Sequence, residues 1–208
     1  MKADFKLIHI PPRLKQGGWQ ILLRRWADLL DEYGSAEPGQ QRDCAYWYGE
    51  RPLTGLLASA AWKLADGWGL EEFSSPRGSG SRARLGRGDL WLGTNGGRYT
   101  VEAKIAWPSR DWQVAKSDVL RRLAQARKQL RSLHRDYRYG DLVALCYVVP
   151  QPSATPSVSK VADALFKNLP DHFADDPYLV ATYRYTGRVP LHSGRHYPGV
   201  IVIAELLS

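Results

Sequence analysis

The sequence predicts a mixed α/β protein in which helices cover both faces of a central β-sheet. Three observations support this fold class. Helical and strand periodicities alternate along the chain. The run Leu142–Val149 is almost continuously apolar, as expected of a central strand covered on both faces. Two further runs, at about 89–93 and 99–106, are joined by Thr-Asn-Gly-Gly, which is a strong hairpin signal.

The length of 208 residues favours one domain with a full hydrophobic core. Within this domain we expect an N-terminal helical extension over residues 1–40 and a core that carries the chemistry over 50–149. Residues 150–208 are expected to contribute a helix and strands that complete the sheet.

The first half of the chain contains two predicted helices and a short strand. Residues 17–33 show helical periodicity, and Gly34 follows as a stop signal. Residues 51–66 form a second helix with one apolar face. A short strand is predicted at Leu70–Ser74, and the glycine- and arginine-rich stretch Ser75–Gly88 is predicted to be a flexible loop.

The second half contains two more helices and the remaining strands. Residues 112–135 are predicted to form a long helix with an apolar seam. A short helix follows at Val161–Asn168, and two strands are expected at Tyr178–Tyr185 and Val200–Leu206. The seam of the long helix comprises Val119, Leu123, Ala126, Leu130 and Leu133.

The composition also bears on the cell compartment. No apolar run approaches 18 residues, so no transmembrane helix is predicted, and the first residues lack the features of a signal peptide. Cys44 and Cys146 both lie in apolar surroundings and are predicted to be reduced core residues of a cytoplasmic protein, with one buried disulfide as the alternative.

Positive charge is concentrated in the middle of the chain. The net charge is +8, yet residues 77–138 contain 15 lysines or arginines and only 5 acids. Such a surface attracts a polyanion, of which nucleic acid is the commonest. A basic face without a partner is the alternative.

Three charged residues in the predicted hairpin suggest a site within this basic segment. Asp89 begins the first strand, and Glu102 and Lys104 lie in the second. Residues two apart in a strand share a face and lie about 6–7 Å apart along it, so Glu102 and Lys104 project together. Pairing of the two strands would bring Asp89 to the same end of the sheet.

Two carboxylates and an ammonium group suit phosphodiester hydrolysis. Asp89 and Glu102, with the Ala103 carbonyl, would offer oxygen ligands to Mg²⁺, for which Mn²⁺ is a substitute. Lys104 would hold the attacking water and offset charge on the phosphate. In the alternative interpretation Asp89 is a turn residue, and Glu102 and Lys104 form a surface pair on an edge strand.

Basic side chains around these residues are predicted to contact phosphates. Glycine-separated arginines precede Asp89, and further basic residues lie on one side of the long helix. Simple solvation of these charges is the alternative. The predicted nucleic-acid contacts are Arg77, Arg82, Arg84, Arg87, Arg121, Arg122 and Lys128.

The pattern Gly88-Asp89 … Glu102-Ala103-Lys104, on a hairpin between two helices, resembles the PD-(D/E)xK nuclease superfamily, which has the restriction-endonuclease-like fold. The resemblance covers residues 50–145, and Gly88 stands in place of the signature proline. It implies a metal-dependent nuclease with Asp89, Glu102 and Lys104 at its centre. It also implies that Glu50 lies near the metal, although a favourable interaction with the helix dipole would explain Glu50 equally well. Glu71 and Glu72 compete for that role but are expected to face solvent.

The resemblance favours an endonuclease acting on DNA rather than RNA, in host defence or DNA processing by analogy. Cleavage of both strands would suit a homodimer. Two other functions stay open: a catalytically silent nucleic-acid-binding module, and a protein-interaction subunit whose basic face meets an acidic partner.

Overall fold

A computed structural model describes residues 3–35, 44–77, 84–108, 111–151, 158–175, 177–185, 191–192 and 195–207. Over these residues the chain has the predicted α/β class, with a seven-stranded mixed sheet and a two-stranded ribbon. The strands are β1 (Ala3–His9), β2 (Trp68–Arg77), β3 (Arg84–Thr94), β4 (Gly97–Ala106), β5 (Asp141–Val148), β6 (Tyr178–Tyr185), β7 (Leu191–His192), β8 (Arg195–His196) and β9 (Gly199–Leu207). The helices are α1 (Pro12–Gln16), α2 (Trp19–Ser35), α3 (Glu50–Trp62), α4 (Trp112–Ser132) and α5 (Val158–His172).

The strand order across the sheet is β1-β6-β9-β5-β4-β3-β2. Strands β4 and β5 pair in parallel, whereas the other neighbours pair in antiparallel. Strand β5 therefore lies in the interior of the sheet, between β4 and β9, as its apolar run predicted.

Helices cover both faces of the sheet, as predicted. Alternate residues of β5 enter two separate hydrophobic clusters, because successive strand side chains point to opposite faces. One cluster contains Val143, Leu145 and Tyr147 together with apolar residues of α2 and α3. The other contains Ala144, Cys146 and Val148 together with the seam of α4 and residues of α5.

The first predicted helix, over residues 17–33, begins two residues later than predicted and continues through Gly34 to Ser35, and a short unpredicted helix precedes it. Helix α1 ends at Gln16 and α2 begins at Trp19, because the two glycines between them make a turn. Gly18 has φ of 77°, in the left-handed region that favours glycine. A Cβ atom on Gly17 would lie 1.6 Å from the Tyr99 hydroxyl, so β4 packs against the bare backbone of this turn.

The other predicted helices are present with shifted ends. The helix predicted over 51–66 runs from Glu50 to Trp62, and the one predicted over 112–135 runs from Trp112 to Ser132. The seam of α4 is buried as predicted. Asp111 caps α4 by accepting the Gln113 N–H at 2.7 Å. The helix predicted at Val161–Asn168 extends over Val158–His172.

Strand β1 was not predicted. Residues 1–40 were expected to be a helical extension, but Ala3–His9 pair with β6 at one edge of the sheet. This short edge strand is only half-buried and contains polar residues. Its sequence therefore lacks the hydrophobic pattern that would predict a strand. Its partner lies more than 170 residues later in the chain, which local patterning does not reveal.

The prediction of a loop over Ser75–Gly88 was wrong at both ends. Strand β2 continues to Arg77 and β3 begins at Arg84, so these segments are arms of a long hairpin. The glycines of β3 leave room for large side chains on β2. A Cβ atom on Gly88 would lie 2.1 Å from the Phe73 ring, and one on Gly86 would lie 2.7 Å from the Arg77 side chain. Strand glycines at such close approaches are indistinguishable in sequence from loop glycines.

Gly88→Ala is expected to lower the free energy of unfolding by about 1–3 kcal/mol, since the added methyl group overpacks the site. The Phe73 ring cannot simply move away, because it stacks on Trp91 with centroids 3.9 Å apart. Urea denaturation measures the change. Phe73→Leu in the Gly88→Ala background should recover part of the loss. Equal stability of Gly88→Ala and wild type would contradict this packing.

The described residues bear on the state of the two cysteines and on membrane-spanning helices. Cys44 and Cys146 are both buried and unlinked, which agrees with the prediction of reduced core residues. Within the ranges given above, no helix is long and apolar enough to cross a membrane. The cytoplasmic location stays a prediction.

Candidate active site

Strands β3 and β4 separate at the predicted site. Their ladder ends with the pair Leu90–Val101, although both strands continue beyond it. Asp89 and Glu102 are the next residues on the two strands. The Asp89 carboxylate fills the gap, where its Oδ2 accepts the Ala103 main-chain N–H at 2.8 Å. A side chain thus replaces the missing strand partner, and this fixes Asp89 against β4.

The Lys104 ammonium group lies among the acidic residues. Its Nζ is 3.2 Å from Glu102 Oε1 and 3.4 Å from Asp89 Oδ2. It also donates a hydrogen bond to the Ala103 carbonyl. With 14% of its side chain exposed, Lys104 is largely withdrawn from solvent. The structure therefore brings together Asp89, Glu102 and Lys104, as the alternation of strand residues predicted.

Glu102 is a buried acid on an interior strand, with 2% of its side chain exposed. This burial excludes the alternative of a surface pair on an edge strand. Burial disfavours the ionised carboxylate and raises the pKa of Glu102 from 4.5 to about 7. The neighbouring charge of Asp89 contributes to this rise in the pKa of Glu102, whereas Lys104 and Arg77 oppose it.

Glu50 reaches the same cluster from helix α3. It is the first residue of α3 and follows Gly49, whose φ of 109° belongs to the range that favours glycine. Glu50 Oε1 lies 3.9 Å from Lys104 Nζ, the longest of the three carboxylate contacts to this lysine. Burial raises the pKa of Glu50, and Lys104 opposes that rise.

Arg77, which was predicted to contact a phosphate from a flexible loop, lies at the end of β2 with 20% of its side chain exposed. Its guanidinium lies 3.5 Å from Glu102 Oε2 and donates to the Gln129 carbonyl and the Ser132 hydroxyl, both at 3.3 Å. It also donates to the Arg87 carbonyl. These contacts tie the end of β2 to α4 and to Glu102, so Arg77 supports the site from inside the fold.

The other predicted phosphate contacts differ in position. Arg87 is exposed and lies on the same strand as Asp89, two residues before it. Arg121 and Arg122 lie on α4 and interact with Asp118, while Lys128 is exposed on the same helix. Arg82 and the side chain of Arg84 lie outside the described residues.

A cleft of about 450 Å³ opens beside the cluster. Glu71 and Glu72 are exposed, as expected, and they also line this cleft. Burial raises the pKa of Glu71, and the charge of Glu72 adds to the rise. Arg51 was not predicted as a site residue, although it directly follows Glu50 in the sequence. The cleft is lined by Glu50, Arg51, Thr54, Glu71, Glu72, Arg87 and Asp89.

The oxygen atoms suited to a divalent cation are few. Among the described residues, no three or more histidine, cysteine, aspartate or glutamate side chains are arranged to hold a metal ion. The donors nearest to Lys104 are the carboxylates of Asp89 and Glu102 and the Ala103 carbonyl. All three interact with the Lys104 ammonium, so they already surround a positive charge. Coordination by Glu50 stays a prediction.

Comparisons with protein-family models, curated proteins and solved structures produced no match.

Proposed function

We propose that this protein is a metal-dependent nuclease that hydrolyses phosphodiester bonds, with DNA favoured over RNA. The observation that carries the proposal is the convergence of Asp89, Glu102 and Lys104 where β3 and β4 separate. It supports the resemblance to the PD-(D/E)xK superfamily, whose central residues have this spacing on a hairpin. Glu50 at the start of α3 adds a fourth residue of that pattern.

The donor atoms fit Mg²⁺ or Mn²⁺. Both are hard cations that prefer oxygen, and Mg²⁺ commonly binds through one or two carboxylates plus waters and substrate phosphate. Glu102 is an acid in a desolvated position, where a cation stabilises its ionised form. The residues proposed to hold the metal are Asp89, Glu102 and the Ala103 carbonyl. When bound, the ion would activate water and neutralise charge on the phosphate.

Each residue of the cluster has a separate task. Asp89 is held by the Ala103 N–H through one oxygen, which leaves its other oxygen available to a ligand. Glu102 supplies the second carboxylate from the adjacent strand. The Lys104 ammonium group can donate hydrogen bonds to the oxygen of the attacking water and to a phosphate oxygen, and its charge stabilises the negative charge that develops on the phosphate.

The proposal predicts that purified protein cleaves supercoiled plasmid, single-stranded DNA or RNA in Mg²⁺ or Mn²⁺ but not in EDTA. Asp89→Asn should abolish this cleavage, because the amide keeps the size of the side chain and removes the charge that a cation requires. Gel electrophoresis of the products measures the effect on each substrate.

Asp163→Asn is the matched control, since Asp163 is an exposed aspartate on α5. It should cleave as wild type does. Cleavage that survives in Asp89→Asn would indicate a contaminant or another site. Salt-sensitive binding of nucleic acid without cleavage in any metal would favour the silent binding module.

A further inference from the structure

One carboxylate in the cleft is shared by two arginines from different elements. Arg51 Nε of α3 lies 3.0 Å from Glu72 Oε1, and Arg87 Nη1 of β3 lies 2.9 Å from Glu72 Oε2. Each carboxylate oxygen thus takes one guanidinium group. A phosphodiester presents the same recognition surface, since it has two non-bridging oxygens and one negative charge.

The backbone conformation of Glu72 is unusual for a strand residue. Its φ of 47° lies in the left-handed region, which non-glycine residues rarely adopt. The β2–β3 ladder pairs Glu71 with Leu90 and Phe73 with Gly88, but Glu72 and Asp89 between them are unpaired. At this interruption of the ladder, Glu72 on β2 contacts the two arginines, and Asp89 on β3 lies in the candidate active site.

The two arginines are held by contacts that a ligand can displace. Their side chains are 81% and 68% exposed, and the Glu72 side chain is 40% exposed. Ion pairs between exposed side chains are weak, because water and salt screen them. The same guanidinium groups can exchange Glu72 for another anion at little cost.

The arginines are also adjacent to the acids of the proposed active site. Arg51 directly follows Glu50, and both line the cleft. Arg87 lies two residues before Asp89 on β3, a separation of about 6–7 Å along the strand. An anion held by the two arginines would lie beside the reacting phosphate, where the next phosphate of a nucleic-acid strand would be.

We propose that Arg51 and Arg87 clamp a backbone phosphate of the nucleic-acid substrate, and that Glu72 occupies this phosphate position in the free protein. The inference rests on the proposed function, because it places the clamped phosphate next to the one that is cleaved. It adds Arg51 as a phosphate ligand and gives Glu72 the role of a competing anion that the incoming substrate displaces.

The test measures binding of a short fluorescein-labelled DNA duplex by fluorescence anisotropy in EDTA, over a range of salt concentrations. Glu72→Gln should tighten binding roughly three- to tenfold, because the competing charge is removed while the side-chain size is kept. Glu72→Gly, which also relieves the positive φ, should act in the same direction. Arg51→Met and Arg87→Met should each weaken binding, and the variant that carries both should reduce the slope of log K against log salt by about 0.9, which is the contribution of one phosphate.

Glu32→Gln is the matched control, because it removes an exposed glutamate that also pairs with an arginine, on α2. It should change the affinity less than Glu72→Gln does. In a protein that carries both Arg51→Met and Arg87→Met, the effect of Glu72→Gln should disappear. An effect of equal size for Glu32→Gln and Glu72→Gln, or one that persists without the arginines, would overturn the clamp.

These results separate the clamp from the nuclease proposal. If wild-type protein binds DNA and the clamp variants behave as expected, the clamp holds whether or not cleavage is observed. If DNA is cleaved but Glu72→Gln binds it no more tightly than Glu32→Gln, only the clamp is overturned. If wild-type protein neither binds nor cleaves nucleic acid, both proposals are overturned.

Discussion

Lys104→Ala is expected to reduce the rate of DNA cleavage by about 10²–10³-fold, the loss typical when one group that stabilises transition-state charge is removed. The ammonium group of Lys104 contacts Asp89 and Glu102, so it lies where water and phosphate would meet. Single-turnover cleavage at saturating protein measures the chemical step separately from binding. We expect the loss to appear in this rate, with a smaller change in affinity.

Lys167→Ala provides the control for Lys104→Ala, since it removes an exposed lysine from α5. The two variants have the same net charge, so a general effect of charge on DNA binding would appear in both. A single-turnover rate that is equal in both variants would exclude a direct role of Lys104 in the chemistry.

Glu102→Gln is expected to make the metal-free protein more stable at pH 8, by about 3 kcal/mol. The pKa of Glu102 is raised from 4.5 to about 7 in the folded protein, chiefly by burial. Between pH 4.5 and about pH 7, Glu102 is therefore largely protonated in the folded state and largely ionised in the unfolded state. Stability from this residue is therefore greatest below about pH 4.5 and falls as the pH rises toward 7. Glutamine resembles the protonated carboxyl group of Glu102. The Glu102→Gln protein should therefore not lose this stability as the pH rises.

Urea denaturation in EDTA at several pH values between 5 and 8 tests this prediction. The stability difference between Glu102→Gln and wild type should be small at pH 5 and reach its full size above pH 7. Glu32→Gln indicates how much the loss of an exposed glutamate changes stability, which is usually less than about 0.5 kcal/mol. A Glu102→Gln protein that is less stable than wild type at pH 8 would show that the contacts with Lys104 and Arg77 outweigh burial.

Local sequence patterns were sufficient to predict the strands and helices with strong periodicity. The apolar run that became β5 identified an interior strand, and the seam of α4 identified a buried helix. Alternation along β4 placed Glu102 and Lys104 on one face, and the hairpin placed Asp89 near them. These features depend on residues close together in the chain, so local patterning was sufficient.

Other features depend on contacts between residues that are far apart in the chain, so they became visible only in the folded protein. Strand β1 exists because β6 pairs with it, and the ends of β2 and β3 pair because glycines in β3 accommodate Phe73 and Arg77. Packing against α4 also holds the Arg77 guanidinium beside Glu102.

The clamp residues came together for the same reason. Arg51, Glu72 and Arg87 lie on three different elements, and each is an ordinary charged residue in the sequence. The sequence specified the acids and the lysine because strand geometry relates them directly. It did not specify the partners of the surrounding charges, because those partners depend on how the helices and the sheet pack.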